Sequence, residues 1–247
     1  MLDSRSLLPT TGREDAAGED PPAVALGGPR TRGIRVDRRY AFVDMLENML
    51  SFGSLGAILE STLAAAAPRP GECMLDLGCG SGKLLVLAVE RSGVEAHGLD
   101  ATPAMVDSAR RRLSSAGVRA DVHLGAAEDL PFPEAKFDVV TSTFAFHHFP
   151  DDLKAVVLGE IHRVLRPGGR LVIADYGTPR GLLGRLCSFP MRWDRWEFVG
   201  SQLDGILERA IPAAGFTAPQ RVRDFLGYIA VLKSSRRESS SDGRLAV

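Results

Sequence analysis

Apolar residues recur along this chain in two rhythms. Between Arg39 and Ala67, Phe42, Met45, Leu46, Met49 and Leu50, then Leu55, Ile58, Leu59 and Leu63, return every three or four residues, the period of amphipathic helices, with Gly53 separating two of them. From Arg69 onward the runs shorten. Apolar stretches at Met74–Leu77, Ala96–Leu99, Ala120–Leu124, Phe137–Ser142 and Arg170–Tyr176 read as strands, and helical patterns at Lys83–Arg91, Pro103–Ala116 and Asp151–Leu165 lie between them. The punctuation agrees: Thr102 precedes Pro103 as an N-cap before a first-turn proline, while Ser92-Gly93, Gly117 and Arg166-Pro167-Gly168-Gly169 close helices. Alternating strands and helices predict an α/β fold with a parallel sheet covered on both faces. A helix over Leu203–Ala214 and two short strands, Gln220–Asp224 and Gly227–Leu232, bring the strand count to seven.

Three stretches break the pattern. Asp3–Gly33 is rich in Gly, Pro, Asp, Glu and Arg without an apolar period, so it does not repay its ordering entropy; residues 1–33 are expected to be disordered, with a regulatory or docking tail as the alternative. Residues 177–200 hold Gly177, Pro179, Gly181, Gly184 and Pro190 beside Trp193, Trp196 and Phe198, and read as an insertion over the active-site end. From Ser234 the chain is polar, and residues 234–247 are expected to be a mobile tail. A single domain, 34–233, remains.

Charge removes some function classes. The 247 residues carry 30 basic and 31 acidic side chains, a net charge of −1, so no global field recruits nucleic acid or an anionic membrane. Cys73, Cys79 and Cys187 have neither paired nor metal-like spacing, which suits a reduced, cytoplasmic protein. No apolar run is long enough to cross a bilayer, and the amino end lacks a signal-peptide core. No metal is expected: His97, His123 and His162 are assigned to structure.

The chemistry concentrates where the first strand, through Asp76, enters Gly78-Cys79-Gly80-Ser81-Gly82 and then a helix. Glycines there permit positive φ and let a ligand approach more closely than a Cβ allows. The spacing G-x-G-x-G lacks the last glycine of the dinucleotide fingerprint, which weakens NAD as a ligand. The second strand ends in Asp100, about where nucleoside-binding α/β folds place an acid on the ribose hydroxyls.

Together with Ala101-Thr102-Pro103-Ala104-Met105 and Leu165-Arg166-Pro167-Gly168-Gly169, these features resemble the class I S-adenosylmethionine-dependent methyltransferases, in the small-molecule branch that includes the ubiquinone/menaquinone C-methyltransferases. The resemblance spans roughly Arg69 to Lys233. It implies a doubly wound, Rossmann-like seven-stranded sheet, mostly parallel, closed by an antiparallel hairpin. Residues 69–176 become the cofactor-binding core, and the leading helices over 34–68 cover its cleft. The implied cofactor is S-adenosyl-L-methionine and the implied partner a small-molecule methyl acceptor, quinone-like or another secondary metabolite; the oligomeric state stays open. Alternatives are an RNA or protein methyltransferase, against which the near-neutral charge and small insertion argue, and a non-catalytic cofactor-binding module.

The resemblance also distributes roles. Gly78, Gly80 and Gly82, with Ser81, are expected to offer backbone donors and close approach near the methionine portion, with Asp76 orienting the turn or meeting the amine. Asp100 takes the ribose hydroxyls; Ala101 and Met105 flank adenine, though Met105 equally suits helix core. The run Leu124–Pro133 resembles the adenine-edge loop, but Ala126 stands where that loop carries an acid. That leaves a backbone contact from Ala127, with Glu128 or Asp129 as substitutes. Thr143 is placed near the methionine portion and Phe144 along the transfer channel. His147 and His148 are the candidate bases, of which adjacency lets at most one face substrate. Trp193 and Trp196, with Arg192 and Arg195, suit a lid over the acceptor, a nucleic-acid stacking platform or plain packing. Tyr40, Phe42 and Met45 suit either the substrate pocket or core.

Overall fold

Every residue of β1 (Cys73–Leu77) is buried, and the rest of the sheet is laid out around that strand. The computed structural model describes residues 31–33, 53–189 and 199–238; the expectations for Tyr40, Phe42 and Met45, for Trp193, Trp196 and Phe198, and for most of both tails lie outside them. Before β1 comes α1 (Leu55–Ala66), and after it α2 (Lys83–Ser92), β2 (Glu95–Asp100), α3 (Pro103–Ala116), β3 (Asp121–Leu124) and β4 (Phe137–Thr143). A 3-10 turn at Phe146–His148 leads into α4 (Asp151–Val164) and β5 (Leu165–Tyr176). Then follow α5 (Gly181–Ser188), α6 (Val199–Leu203), α7 (Ile206–Ala213), β6 (Gln220–Phe225) and β7 (Ile229–Ser235).

The strand order is β3-β2-β1-β4-β5-β7-β6, parallel from β3 to β5, with β7 antiparallel to both β5 and β6. Side chains on β1 alternate between two cores. Met74 packs in the core that holds Ile58 of α1, Leu84 of α2 and Ala109 of α3, while Leu75 and Leu77 join Val157 of α4 and Ile211 of α7 on the other face. Because β2 and β4 leave β1 in opposite directions, the carboxyl ends of β1 and β4 form the crevice where open α/β sheets take ligands. Among the described residues, no helix is long and apolar enough to cross a membrane.

Local signals set the ends of elements well. Extended Thr102 stands before Pro103 at the start of α3, and left-handed Gly93 and Gly117 close α2 and α3. Three boundaries differ from the sequence reading. The turn-like Arg166–Gly169 stretch belongs to β5: Leu165 pairs with Phe137, a register break follows, and Gly168 N–H donates to the Arg236 carbonyl. The expected helix over Leu203–Ala214 is split at Asp204-Gly205, where Gly205 has φ 76°. The last strand runs past Lys233, because the Ser234 hydroxyl donates to the Thr217 carbonyl and Ser235 N–H donates to the Thr217 hydroxyl; Ser234 is strand, not tail.

Candidate active site

The glycine turn after β1 works by close approach. Gly78, Gly80 and Gly82 all have positive φ, yet their N–H groups are already used: Gly78 donates to the Leu99 carbonyl, Gly82 to the Cys79 carbonyl, and Gly80 to Asp100 Oδ2 at 2.9 Å. The expectation that these three supply backbone donors to a ligand is therefore corrected. Gly78, Gly80 and Ser81 line the cleft. Gly82 does not; it is the N-cap of α2, and a Cβ there would press on Ala109 of α3 at 3.0 Å.

Two carboxylates stand at the ends of neighbouring strands. Asp100 accepts N–H bonds from Gly80 on Oδ2 and Thr102 on Oδ1, both at 2.9 Å, and lines the cleft. Burial raises its pKa, and the backbone N–H groups of Thr102 and Gly80, with the Thr102 side chain, hold it back. Asp76 is buried and lines the same cleft. Burial pushes it up to about 7, against the Thr141 hydroxyl, which donates to Oδ1 at 2.8 Å; the charge of Asp100 adds to the rise.

Ala101, Met105, Gly125 and Ala127 line one side of the cleft. Ala126 is buried but is not part of the lining, and Glu128 and Asp129 do not face the cleft either. Glu128 is engaged elsewhere, accepting from the Thr31 hydroxyl at 3.1 Å and Arg32 N–H at 3.0 Å. That contact brings Thr31 and Gly33, from a segment expected to be disordered, onto the rim.

The opposite wall comes from the end of β4. Thr143 lines the cleft, and its Oγ1 is buried without a hydrogen-bond partner among the described residues. Phe144 beside it has φ 53°, a strained conformation for an aromatic residue, held by its N–H bond to the Ala174 carbonyl. Of the two histidines, His148 reaches the cleft and His147 does not. His147 is buried beneath it, with Nδ1 2.9 Å from Oδ1 of fully buried Asp175 and its N–H donating to Oδ2 at 3.2 Å. The two imidazoles lie 4.0 Å apart between centroids. Burial, and secondarily His147, holds His148 well below the usual histidine range.

Comparison with known proteins places this architecture. A methyltransferase-domain family matches residues 74–169. Demethylmenaquinone methyltransferase of Deinococcus radiodurans is 34% identical over 172 residues, covering 67% of this chain and 70% of that protein. The chain belongs to the class I S-adenosylmethionine-dependent methyltransferases. A demethylmenaquinone methyltransferase of Thermus thermophilus is 38% identical over 143 residues, and the chain spans 64% of its length. The fold alone is shared more widely: a crystal structure of the [4+2]-cyclase SpnF superposes with TM-score 0.61 at 18% identity, covering 81% of this chain and 95% of that one.

The chain fits the family's cofactor by its own geometry. The Asp100 carboxylate on the cleft wall suits a diol, Thr143 Oγ1, without a partner among the described residues, suits a polar amino-acid group, and a Cβ on Gly80 would meet nothing within 4 Å, so its face is open. Sequence reasoning missed Asp175, Thr31 and Gly125. An Asp before the last residue of a buried strand gave a usable signal for the first; the other two depend on contacts far apart in the chain.

Proposed function

We propose that this chain transfers a methyl group from S-adenosylmethionine to a small organic acceptor of the quinone-ring type. The observation that carries it is the Asp100 carboxylate, steadied by two backbone N–H groups and facing a turn whose glycine N–H groups are spent. When bound, S-adenosylmethionine supplies an electrophilic methyl on a sulfonium. Asp100 accepts hydrogen bonds from its ribose hydroxyls, charge-assisted contacts worth about 1.5–3 kcal/mol each. Met105 and Ala101 pack on the adenine, Gly78 and Gly80 admit the chain to the turn, and Asp76 and Thr143 Oγ1 receive the amino-acid end.

Leu55, Leu59, Phe144 and Phe149 also line the cleft and support an apolar, planar acceptor; the names of the Thermus and Deinococcus relatives point to the same class. Holding acceptor and sulfonium in line supplies most of the acceleration. Where the acceptor atom carries a proton, His148, unprotonated at neutral pH, accepts it. The test is incubation with methyl-labelled S-adenosylmethionine and a reduced, demethylated naphthoquinone. A labelled product in wild type, lost in Asp100→Ala, supports the reading; S-adenosylhomocysteine binding with no labelled product from any quinol favours a non-catalytic module.

A further inference from the structure

At the other end of the sheet, away from the cleft, a second cluster of ligating atoms stands at the amino ends of β1 and β2. Cys73 and Glu95 are paired in register, and the two-residue strand period brings His97 to the same face as Glu95. Glu95 Oε1 lies 3.8 Å from Cys73 Sγ and 3.1 Å from His97 Nε2, and all three donor atoms fall within 4.8 Å of one another. Zinc-type bonds of about 2.3 Å to sulfur and about 2.0–2.2 Å to nitrogen and oxygen set tetrahedral edges of about 3.4–3.6 Å, so the present spacings need only small side-chain adjustments. Cys73 and His97 are buried while Glu95 is exposed, an arrangement that leaves a path from solvent.

The surroundings match a metal site in a second respect. His97 Nδ1 is buried without a hydrogen-bond partner among the described residues, and Asp121 Oδ2 lies 3.9 Å from it. Metal-bound histidines usually give their second nitrogen a carboxylate partner, and Asp121 is near enough to become one. His123 stacks on His97 with centroids 5.8 Å apart, and Lys136 sits over the Phe132 and Phe137 rings at the rim.

We propose that Cys73 Sγ, a Glu95 carboxylate oxygen and His97 Nε2 form a three-ligand site for a divalent transition-metal ion of the zinc type, clamping β1 to β2. A thiolate, an imidazole and a carboxylate suit zinc or cobalt and not magnesium or calcium. Binding releases the Cys73 thiol proton to solvent, and the two negative ligands then balance the dication.

The experiment is Co²⁺ titration of the tag-free full chain after chelator treatment, followed by zinc competition. Expected is a thiolate-to-cobalt charge-transfer band that saturates at one ion per chain and is displaced by zinc. The band should disappear in Cys73→Ser, persist in Cys187→Ser, and weaken by at least about tenfold in affinity in Glu95→Gln, which sits at an exposed position and spares the fold. Absence of a band in wild type, or its persistence in Cys73→Ser, overturns the proposal. S-adenosylhomocysteine binding, measured alongside, should be unchanged in Glu95→Gln and reports the cleft separately.

Discussion

A Cβ on Gly78 would lie 2.5 Å from the Cβ of Ala145. The glycine turn and the exit of β4 therefore touch, and the closeness of the cleft's two walls depends on a missing side chain. Gly78 also has φ 69°. Gly78→Ala should cost about 1–3 kcal/mol of stability from overpacking and backbone strain, and S-adenosylhomocysteine affinity should drop with it. Thermal melts and calorimetry check both; an Ala variant with unchanged affinity would mean that the walls are free to separate.

Asp76 predicts a pH dependence of opposite sign for stability and for binding. Its pKa is pushed up to about 7 by burial. Between about pH 4 and about pH 7 the folded chain keeps a proton that the unfolded chain has released, so the cofactor-free protein loses stability as pH rises through that window. A ligand ammonium reverses the preference by favouring the carboxylate, so cofactor affinity should increase as pH rises through about 7. Asp76→Asn should flatten both trends. Melts and titrations across this range test it, and an Asn variant that keeps the wild-type slopes would assign them elsewhere.

The two adjacent histidines separate by role. His148→Ala should slow turnover by about 10²-fold or more if the acceptor proton passes to it, with S-adenosylhomocysteine affinity unchanged. Asp175→Ala should act on stability first, because it removes the carboxylate that Nδ1 of His147 meets and that the N–H groups of His147 and Tyr176 donate to, a loss of about 1–3 kcal/mol for each buried group left without it. Equal turnover in wild type and His148→Ala would remove the base from the mechanism.

Much of this was legible in the sequence, because strand–turn–helix punctuation is local. Thr102-Pro103, Gly93 and Gly117 mark helix ends through their own backbone preferences, and the Asp76–Gly82 and Asp100 pair lie at strand ends that apolar runs announce. What misled were residues whose role is settled across the sheet. Gly82 reads like its neighbours, yet its space is taken by Ala109 of the next helix. Arg166–Gly169 reads as a turn, but the returning Arg236 gives it strand partners. Nor does spacing along the chain show that Cys73 lies beside Glu95 and His97, because strand pairing brings it there. Likewise, His147 and His148 could not be told apart until Asp175 claimed one of them.

Calorimetric titration of wild type and Asp100→Ala with S-adenosylhomocysteine tests the central claim most directly. Saturable one-to-one binding to wild type is expected, with a loss of at least about tenfold in Asp100→Ala, the value of one charge-assisted hydrogen bond. Equal affinity in the two proteins, or no binding to correctly folded wild type, would contradict it.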